Sequence, residues 1–399
     1  MQRRIIRQLA IGTAFVASLG LAGQAVHADH EIKIGVVGPK TGPMAAGAAV
    51  THWTAYRLWQ KEVNARGGFL INGKRHKMKL IEYDDRTNPG ETIKAVNRLA
   101  TQDKADLIMA PYGTGFNLAS APVFHKHGYP QFAIAAVSDQ VEKMVKKFST
   151  IFFFLGYTTS YAESVAEIMA KMRDAGKINN RVAMVNVGDT FGIELANAAR
   201  PVFKKLGFKI VYDKSYPLGT QDLTPVIKAA KAAKPDSFVA WSYPPDTFGL
   251  AKQAKTEGLN VKVYYSAVAT AFPGFYKVYG KSAENILGAG GTEITPAFVD
   301  YLKRHKAATG VDGDYWGTAL YGALTQALTE SIEAVGADKT KILNYIKSRT
   351  FKTIVGTLDL RSQKMPVWWT VGQWQNGKFV GVKGYGTSGE KAAKIKKGW

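Results

Sequence analysis

The sequence predicts an α/β protein built as two doubly wound, parallel-sheet lobes. Short β-branched runs alternate with amphipathic helical stretches along most of the chain, the pattern of parallel strands covered by helices on both faces. The rhythm runs once from "EIKIGVVG" to "YPQFAIAA", and again from "STIFFFLGYTTS" to "VKVYYSA". Of the 399 residues, the roughly 370 left after a leader segment exceed what one core ordinarily serves.

Element by element, "EIKIGVVG" reads as a buried strand. From Ala48 to Ala65 a helical period takes over, with Ala49, Trp53, Tyr56 and Val63 near one stripe. "KMKLIEYDD" is a strand, and "NPGETIKAVNRLA" opens a helix with Pro89 in its first turn. "ADLIMA" is a strand, "FNLASAPVFHKHG" a helix ended by Gly128, and "YPQFAIAA" the next strand. The second series predicts helices over 160–175, 190–206, 222–233 and 245–257, with strands "RVAMVNV", "FKIVYDKSY", "DSFVAWS" and "VKVYYSA" between and after them. From Ile294 to Arg349 the chain reads as mostly helical. "VWWTVGQWQNGKFVGV" then alternates around Asn376-Gly377, the signature of a type I′ hairpin.

Residues 1–28 read as a secretory signal. Arg3, Arg4 and Arg7 form its basic start, an apolar stretch follows from Leu9 to about Leu21, and Val26 and Ala28 fit a cleavage after Ala28. The apolar stretch is shorter than the ~20 residues of a membrane span. The formal charge of +22 falls to +19 once the three arginines leave. In an exported chain, basic residues spread along the length argue for a solvated surface and against nucleic acid. A bias toward anionic ligands or membrane surfaces is the sharper alternative. There is no cysteine, so disulfides, thiolate metal sites and thiol catalysis are excluded.

Catalytic and cofactor motifs fail one by one. "GVVGPKTGPMAAGAAV" places Lys40-Thr41 after a strand, yet a phosphate-binding loop needs a glycine before that lysine and Pro39 stands there without an N–H. "GTSGE" has the wrong spacing for a nucleophile elbow. "HKH" at 125–127 puts its histidines on different helix faces, and "YDDRTNPG" adjoins Arg86 and lacks the partners of a calcium loop. "YGTGFN" lacks the third glycine of a dinucleotide fingerprint. No enzyme, metal site or cofactor is expected. The aromatics remain: Tyr112, Phe116, Phe191, Trp241, Tyr243, Phe272 and Trp316 fall in or beside the loops after strands, where open parallel sheets hold ligands.

"IKIGVVGPKTGPMAAGAA", "KEVNARGGFLINGKRHKMKLIEYDDRTNPGETIKAVNRLA", "FVAWSYPPDTFGLAKQAK" and "GKSAENILGA" resemble, in order, the periplasmic solute-binding proteins of the leucine/isoleucine/valine-binding family. The resemblance covers nearly the whole chain after the signal. It implies a type I periplasmic binding protein fold, two lobes joined by three crossovers near Leu155, Gly291 and Val355 with a ligand cleft between them. Residues 29–154 with 292–355 would form one lobe, and 155–291 with 356–399 the other. It also implies a periplasmic protein, expected as a monomer, that delivers a small-molecule ligand to an inner-membrane ABC permease. Loop "GPKTGPM" would border the cleft.

Amino-acid-binding members hold the ligand carboxylate with a serine hydroxyl and backbone N–H groups. They hold its ammonium with a backbone carbonyl, a threonine and a glutamate. By the resemblance, the serine's place falls on Gly113, with Thr114 beside it. The carbonyl and threonine segment falls on Ala135, Ala136 and Val137, with Val137 where the threonine would be. The glutamate's place falls near Val268. A cysteine pair of relatives maps onto Thr87 and Tyr112. An ammonium buried without its carboxylate costs roughly 2–5 kcal/mol, so the amino-acid site looks dismantled. With Phe191, Tyr243 and Trp316 as aromatic walls, these departures point to an aromatic or other small organic acid. Branched-chain or other amino acids and small amides are the alternatives, and a ligand sensor for a membrane receptor is the alternative role.

Overall fold

The computed structural model describes residues 31–399, so the expected signal segment, residues 1–28, lies outside the described residues. The chain starts with β1 (Ile32–Gly38), α1 (Ala45–Ala65), β2 (Phe69–Ile71), β3 (Lys74–His76), β4 (Met78–Asp84) and α2 (Pro89–Thr101). β5 (Leu107–Met109), α3 (Thr114–Lys126), β6 (Gln131–Ala133), α4 (Val141–Lys147) and β7 (Ile151–Phe153) follow. β4, β1 and β5 form a parallel sheet in that order, and the parallel pair β6 and β7 packs beside β5. β1 is buried along nearly its whole length, as expected of a strand covered on both faces.

The chain then crosses to a second sheet through α5 (Thr158–Asp174), β8 (Arg181–Val187), α6 (Thr190–Lys205), β9 (Lys209–Tyr216) and α7 (Thr224–Ala232). β10 (Ser237–Trp241), α8 (Pro244–Glu257), β11 (Val263–Ser266), α9 (Pro273–Tyr279) and β12 (Leu287–Ala289) complete this series. It returns to pack α10 (Pro296–Thr309) and α11 (Gly317–Val335) against α1, followed by α12 (Lys339–Ser348) and the small hairpin β13 (Thr350–Thr353) and β14 (Gly356–Asp359). A third passage leads to β15 (Trp368–Gln375) and β16 (Lys378–Tyr385), which complete a seven-stranded sheet of order β16-β15-β12-β11-β10-β8-β9. Its strands are parallel from β12 to β9, and β15 and β16 are antiparallel at one edge. This is the two-lobed α/β fold that the strand–helix rhythm predicts.

Local chemistry sets the boundaries. Asn88 caps α2 through the N–H groups of Gly90 and Glu91, with Pro89 in the first turn. Thr295 and Pro296 do the same for α10, and Gly310 ends it at φ 75°. Asn376 and Gly377 take φ of 54° and 73° between β15 and β16, as a type I′ turn requires. The same dipeptide, Asn72-Gly73, turns β2 into β3 with φ of 49° and 78°. The sequence reading passes over that hairpin because its strands are three residues long and β3 is polar. The expected strand "YPQFAIAA" shrinks to Gln131–Ala133, because the chain turns out of the sheet at Ile134, whose N–H bonds back to Phe132.

Loop "GPKTGPM" is fastened to the end of β4: the Thr41 hydroxyl donates to Asp84 at 2.7 Å, and the Lys40 ammonium pairs with Glu82 at 2.8 Å. The lobes meet across the cleft where α1 packs on α8 and α3 on α6. There the Ser138 hydroxyl and the Gln140 side-chain amide each donate at 2.6 Å to one oxygen of Glu194 on α6.

After β16 the chain has no regular structure yet is tied down. The Trp399 indole donates to the Leu259 carbonyl at 2.8 Å and packs edge-on to Tyr264, and the Lys396 N–H donates to Lys262 at 2.7 Å. Lys396 is 4% exposed, with its ammonium on the Gly398 carbonyl and 4.3 Å from the Trp399 ring centre. Burial, with help from the charge of Lys255, lowers its pKa to about 8. The unfolded chain keeps that proton to about pH 10, so above pH 8 the unfolded state binds more protons than the native state and stability rises with pH. Urea unfolding midpoints should therefore climb between about pH 8 and 9.5 in the wild type and stay flat across that window in Lys396→Met. Equal slopes in the two proteins would contradict this.

Candidate functional site

Among the described residues, five helices begin at one cavity between the lobes. One side contributes Thr51 of α1, Tyr112, Gly113 and Thr114 at the start of α3, Ile134, Ala135 and Val137 after β6, and Asp314, Trp316, Gly317 and Tyr321 around the start of α11. Leu155, Phe191 at the start of α6, Tyr243 at the start of α8, and Val268 and Phe272 before α9 complete it.

Of the residues singled out from the sequence, Tyr112, Gly113, Thr114, Ala135, Val137, Phe191, Tyr243, Val268, Phe272 and Trp316 border this cavity. Ala136 does not: it faces away, into a cluster with Ala121, Ala133 and Val141. Trp241 is fully buried within β10, and Phe116 packs in the core beneath α3, so neither forms a wall. Nothing from Gly35 to Val50 borders the cavity. Loop "GPKTGPM" reaches only the rim, where Pro43 approaches Gly219 of the other lobe. Thr51, Ile134, Leu155, Asp314, Gly317 and Tyr321 were not foreseen. For Asp314 a signal existed, an aspartate just ahead of the apolar run of α11, a residue type that caps helix starts.

The walls are mostly apolar and aromatic. Phe191 and Tyr243 stack with ring centres 4.7 Å apart and planes 24° apart. The Tyr243 hydroxyl donates to Asp189 at 2.9 Å, and burial and that carboxylate hold the phenol well above its usual pKa. Tyr321 meets Nδ1 of His52 at 3.1 Å, and burial drives the His52 pKa down to about 3, so the imidazole is neutral. The Thr114 hydroxyl both donates to the Val137 carbonyl and accepts from its N–H, each at 3.2 Å. It braces the loop after β6, and its one proton is used there.

Among the described residues, Asp314 is the only charged one on the wall. It is fully buried, which raises its pKa, while four hydrogen bonds act the other way. One oxygen accepts from the N–H groups of Trp316 and Gly317 at 2.7 and 2.6 Å, the other from the Thr318 N–H and hydroxyl at 3.0 and 2.8 Å. A carboxylate has about four lone-pair positions, so Asp314 has none left for a ligand. It caps α11.

The other helix starts divide the same way. Asp189 caps α6 through the Gly192 N–H, and Asp246 bonds the Tyr243 N–H at the start of α8. α9 begins with Pro273, which has no N–H to offer. α3 is different: Gly113 precedes it with φ 109° and ψ 149°, and no side chain caps it. A side chain at Gly113 would be strained at this φ and would put its Cβ 2.6 Å from Met44 Cε. The backbone therefore lies bare at the cavity, with the positive end of a 13-residue helix open toward it.

Among the described residues no group of His, Cys, Asp and Glu could hold a metal ion, and no helix is long and apolar enough to cross a membrane. The profile of the periplasmic binding protein family matches residues 31–378. An amino acid binding protein of Pseudomonas aeruginosa is 25% identical over 364 residues, 89% of this chain and 92% of that protein. The Leu/Ile/Val-binding protein of Escherichia coli K12 is 23% identical, over 87% of this chain and 91% of its own. Similar solved structures include a branched-chain amino acid transporter substrate binding protein from Streptococcus pneumoniae in complex with isoleucine (TM-score 0.74, 18% identity, 89% of this chain and 99% of that one). A solute binding protein of an ABC transporter from R. palustris in complex with benzoate is also similar (TM-score 0.76, 17% identity, 92% of this chain and 97% of that one). The chain belongs to the periplasmic binding protein family.

Proposed function

We propose that this protein captures a small organic acid with a flat apolar body, an aromatic carboxylic acid above all, and delivers it to an ABC permease in the inner membrane. The observation that carries the reading is the uncapped start of α3 at a cavity whose only carboxylate is saturated. Backbone N–H groups and the helix dipole at that end favour a carboxylate, and among the described residues no lysine, arginine or histidine lines the cavity to compete for it. An α-amino acid would bring an ammonium as well. Asp314 has no free lone pair for it, Val268 offers no charge, and an unpaired buried cation is costly. The stacked pair Phe191 and Tyr243 and the Trp316 ring suit a planar ring. The fold itself is shared by an isoleucine-bound and a benzoate-bound neighbour, so it is the wall chemistry that separates the two.

A second reading, uptake of a branched-chain or other amino acid, draws on the names of the relatives. It requires the ammonium to be held by carbonyls such as that of Ala135. Delivery to the permease, as a monomer exported to the periplasm, is part of the proposal, as is division of the lobes near Leu155, Gly291 and Val355.

Two measurements on the ligand-stripped protein decide between the readings. In calorimetric titration benzoate should bind, and benzamide and leucine should bind at least about tenfold more weakly, since a charge-assisted hydrogen bond is worth about 1.5–3 kcal/mol. Benzamide equal to benzoate would remove the carboxylate from α3, and leucine tighter than benzoate would restore the amino-acid reading. Phe191→Ala should weaken benzoate by roughly tenfold, about 1.5 kcal/mol, through loss of the stacked surface. Unchanged affinity in the folded variant would place the ring elsewhere.

A further inference from the structure

Trp316 borders more than the ligand cavity. A second cavity, partly open to solvent, lies beside it, with Leu320, Ile354, Met365 and Trp369 among its walls. Among the described residues, Trp316 is the one side chain that lines both spaces. Behind it the backbone comes close at Gly290, where φ is 102° and an added Cβ would sit 2.3 Å from Trp316 Cγ. Tyr161 approaches with ring centres 6.2 Å apart. The indole is 8% exposed and its N–H has no hydrogen-bond partner. Packing alone therefore holds this ring, with no polar tether.

We propose that Trp316 sets the length limit of the ligand. A single-ring acid anchored by its carboxylate at α3 ends against the indole, and a longer acid is stopped there. A smaller side chain at this position joins the two cavities and admits an acid whose apolar chain runs on toward Leu320, Ile354 and Met365. This inference rests on the organic-acid reading above and adds a specificity-determining residue to it.

The test is calorimetric titration of benzoate and 4-phenylbutanoate against the wild type, Trp316→Ala, Trp316→Leu and Trp316→Ala combined with Ala319→Phe. Urea unfolding of each checks that it is folded. The wild type should bind benzoate and reject 4-phenylbutanoate by at least about tenfold. Trp316→Ala should weaken benzoate and tighten 4-phenylbutanoate by about tenfold or more, with Trp316→Leu moving both in the same direction by less. Ala319 lines the second cavity, so Ala319→Phe should refill it and abolish the gain. A wild type that binds both acids equally, or a folded Trp316→Ala protein whose preference is unchanged, overturns the length limit while the organic-acid reading stands. Benzoate failing to bind the wild type overturns the organic-acid reading, and the length limit with it.

Discussion

The first turn of a helix leaves N–H groups without intrahelical partners, and where such a turn is buried something must accept from them. Of the helices that start at one cavity in this protein, α9 opens on Pro273, which has no N–H, and α3, α6, α8 and α11 meet that requirement in two ways. At α6, α8 and α11 the chain supplies its own carboxylates, Asp189, Asp246 and Asp314. Burial raises the pKa of all three, that of Asp246 to about 6, and the donors that each accepts from oppose the rise. At α3 the chain supplies nothing. A site that is polar by geometry but lined by rings is then left with the α3 start unmet, which a ligand carboxylate fits.

The lobes that enclose this cavity hold together at its rim with few polar contacts. Glu194 takes a hydrogen bond on each carboxylate oxygen from Ser138 and Gln140 of the opposite lobe. Beside it, Gly115 and Thr190 come close enough that a Cβ on the glycine would lie 3.2 Å from the threonine hydroxyl. Hydrogen bonds that are partly exposed, as these are, contribute little each. That suits a carrier which has to release its cargo.

Much of the fold was legible because strand and helix periods differ so plainly in this chain. Four of the second lobe's helices, α5 to α8, lie within about two residues of their predicted bounds, while the seven-residue α9 was not foreseen, and Asn376-Gly377 announced its hairpin. Short elements were harder: β2, β3 and β7 are three residues each, too short for period to declare itself. The cavity wall divides along similar lines. Residues at strand ends and helix starts, such as Gly113, Phe191 and Tyr243, follow from the rule that ligands sit at the carboxyl ends of parallel strands. Trp241 and Phe116 show its limit, since one residue along a strand or helix turns a wall into core. Thr51, Tyr321 and Asp314 enter the wall only because α1 and α11 pack together across more than 260 residues of sequence, and pairing at that distance leaves no local signature.

In the proposed complex the α3 N–H groups meet a ligand carboxylate, and amide resonances report on that contact directly. In a 15N-labelled, ligand-stripped sample titrated with benzoate, the Gly113, Thr114, Gly115 and Phe116 amides should show the largest downfield proton shifts. The Gly317 and Thr318 amides, already bonded to Asp314, should move little. Large shifts centred on Gly317 and Thr318, with those of α3 unmoved, would contradict it.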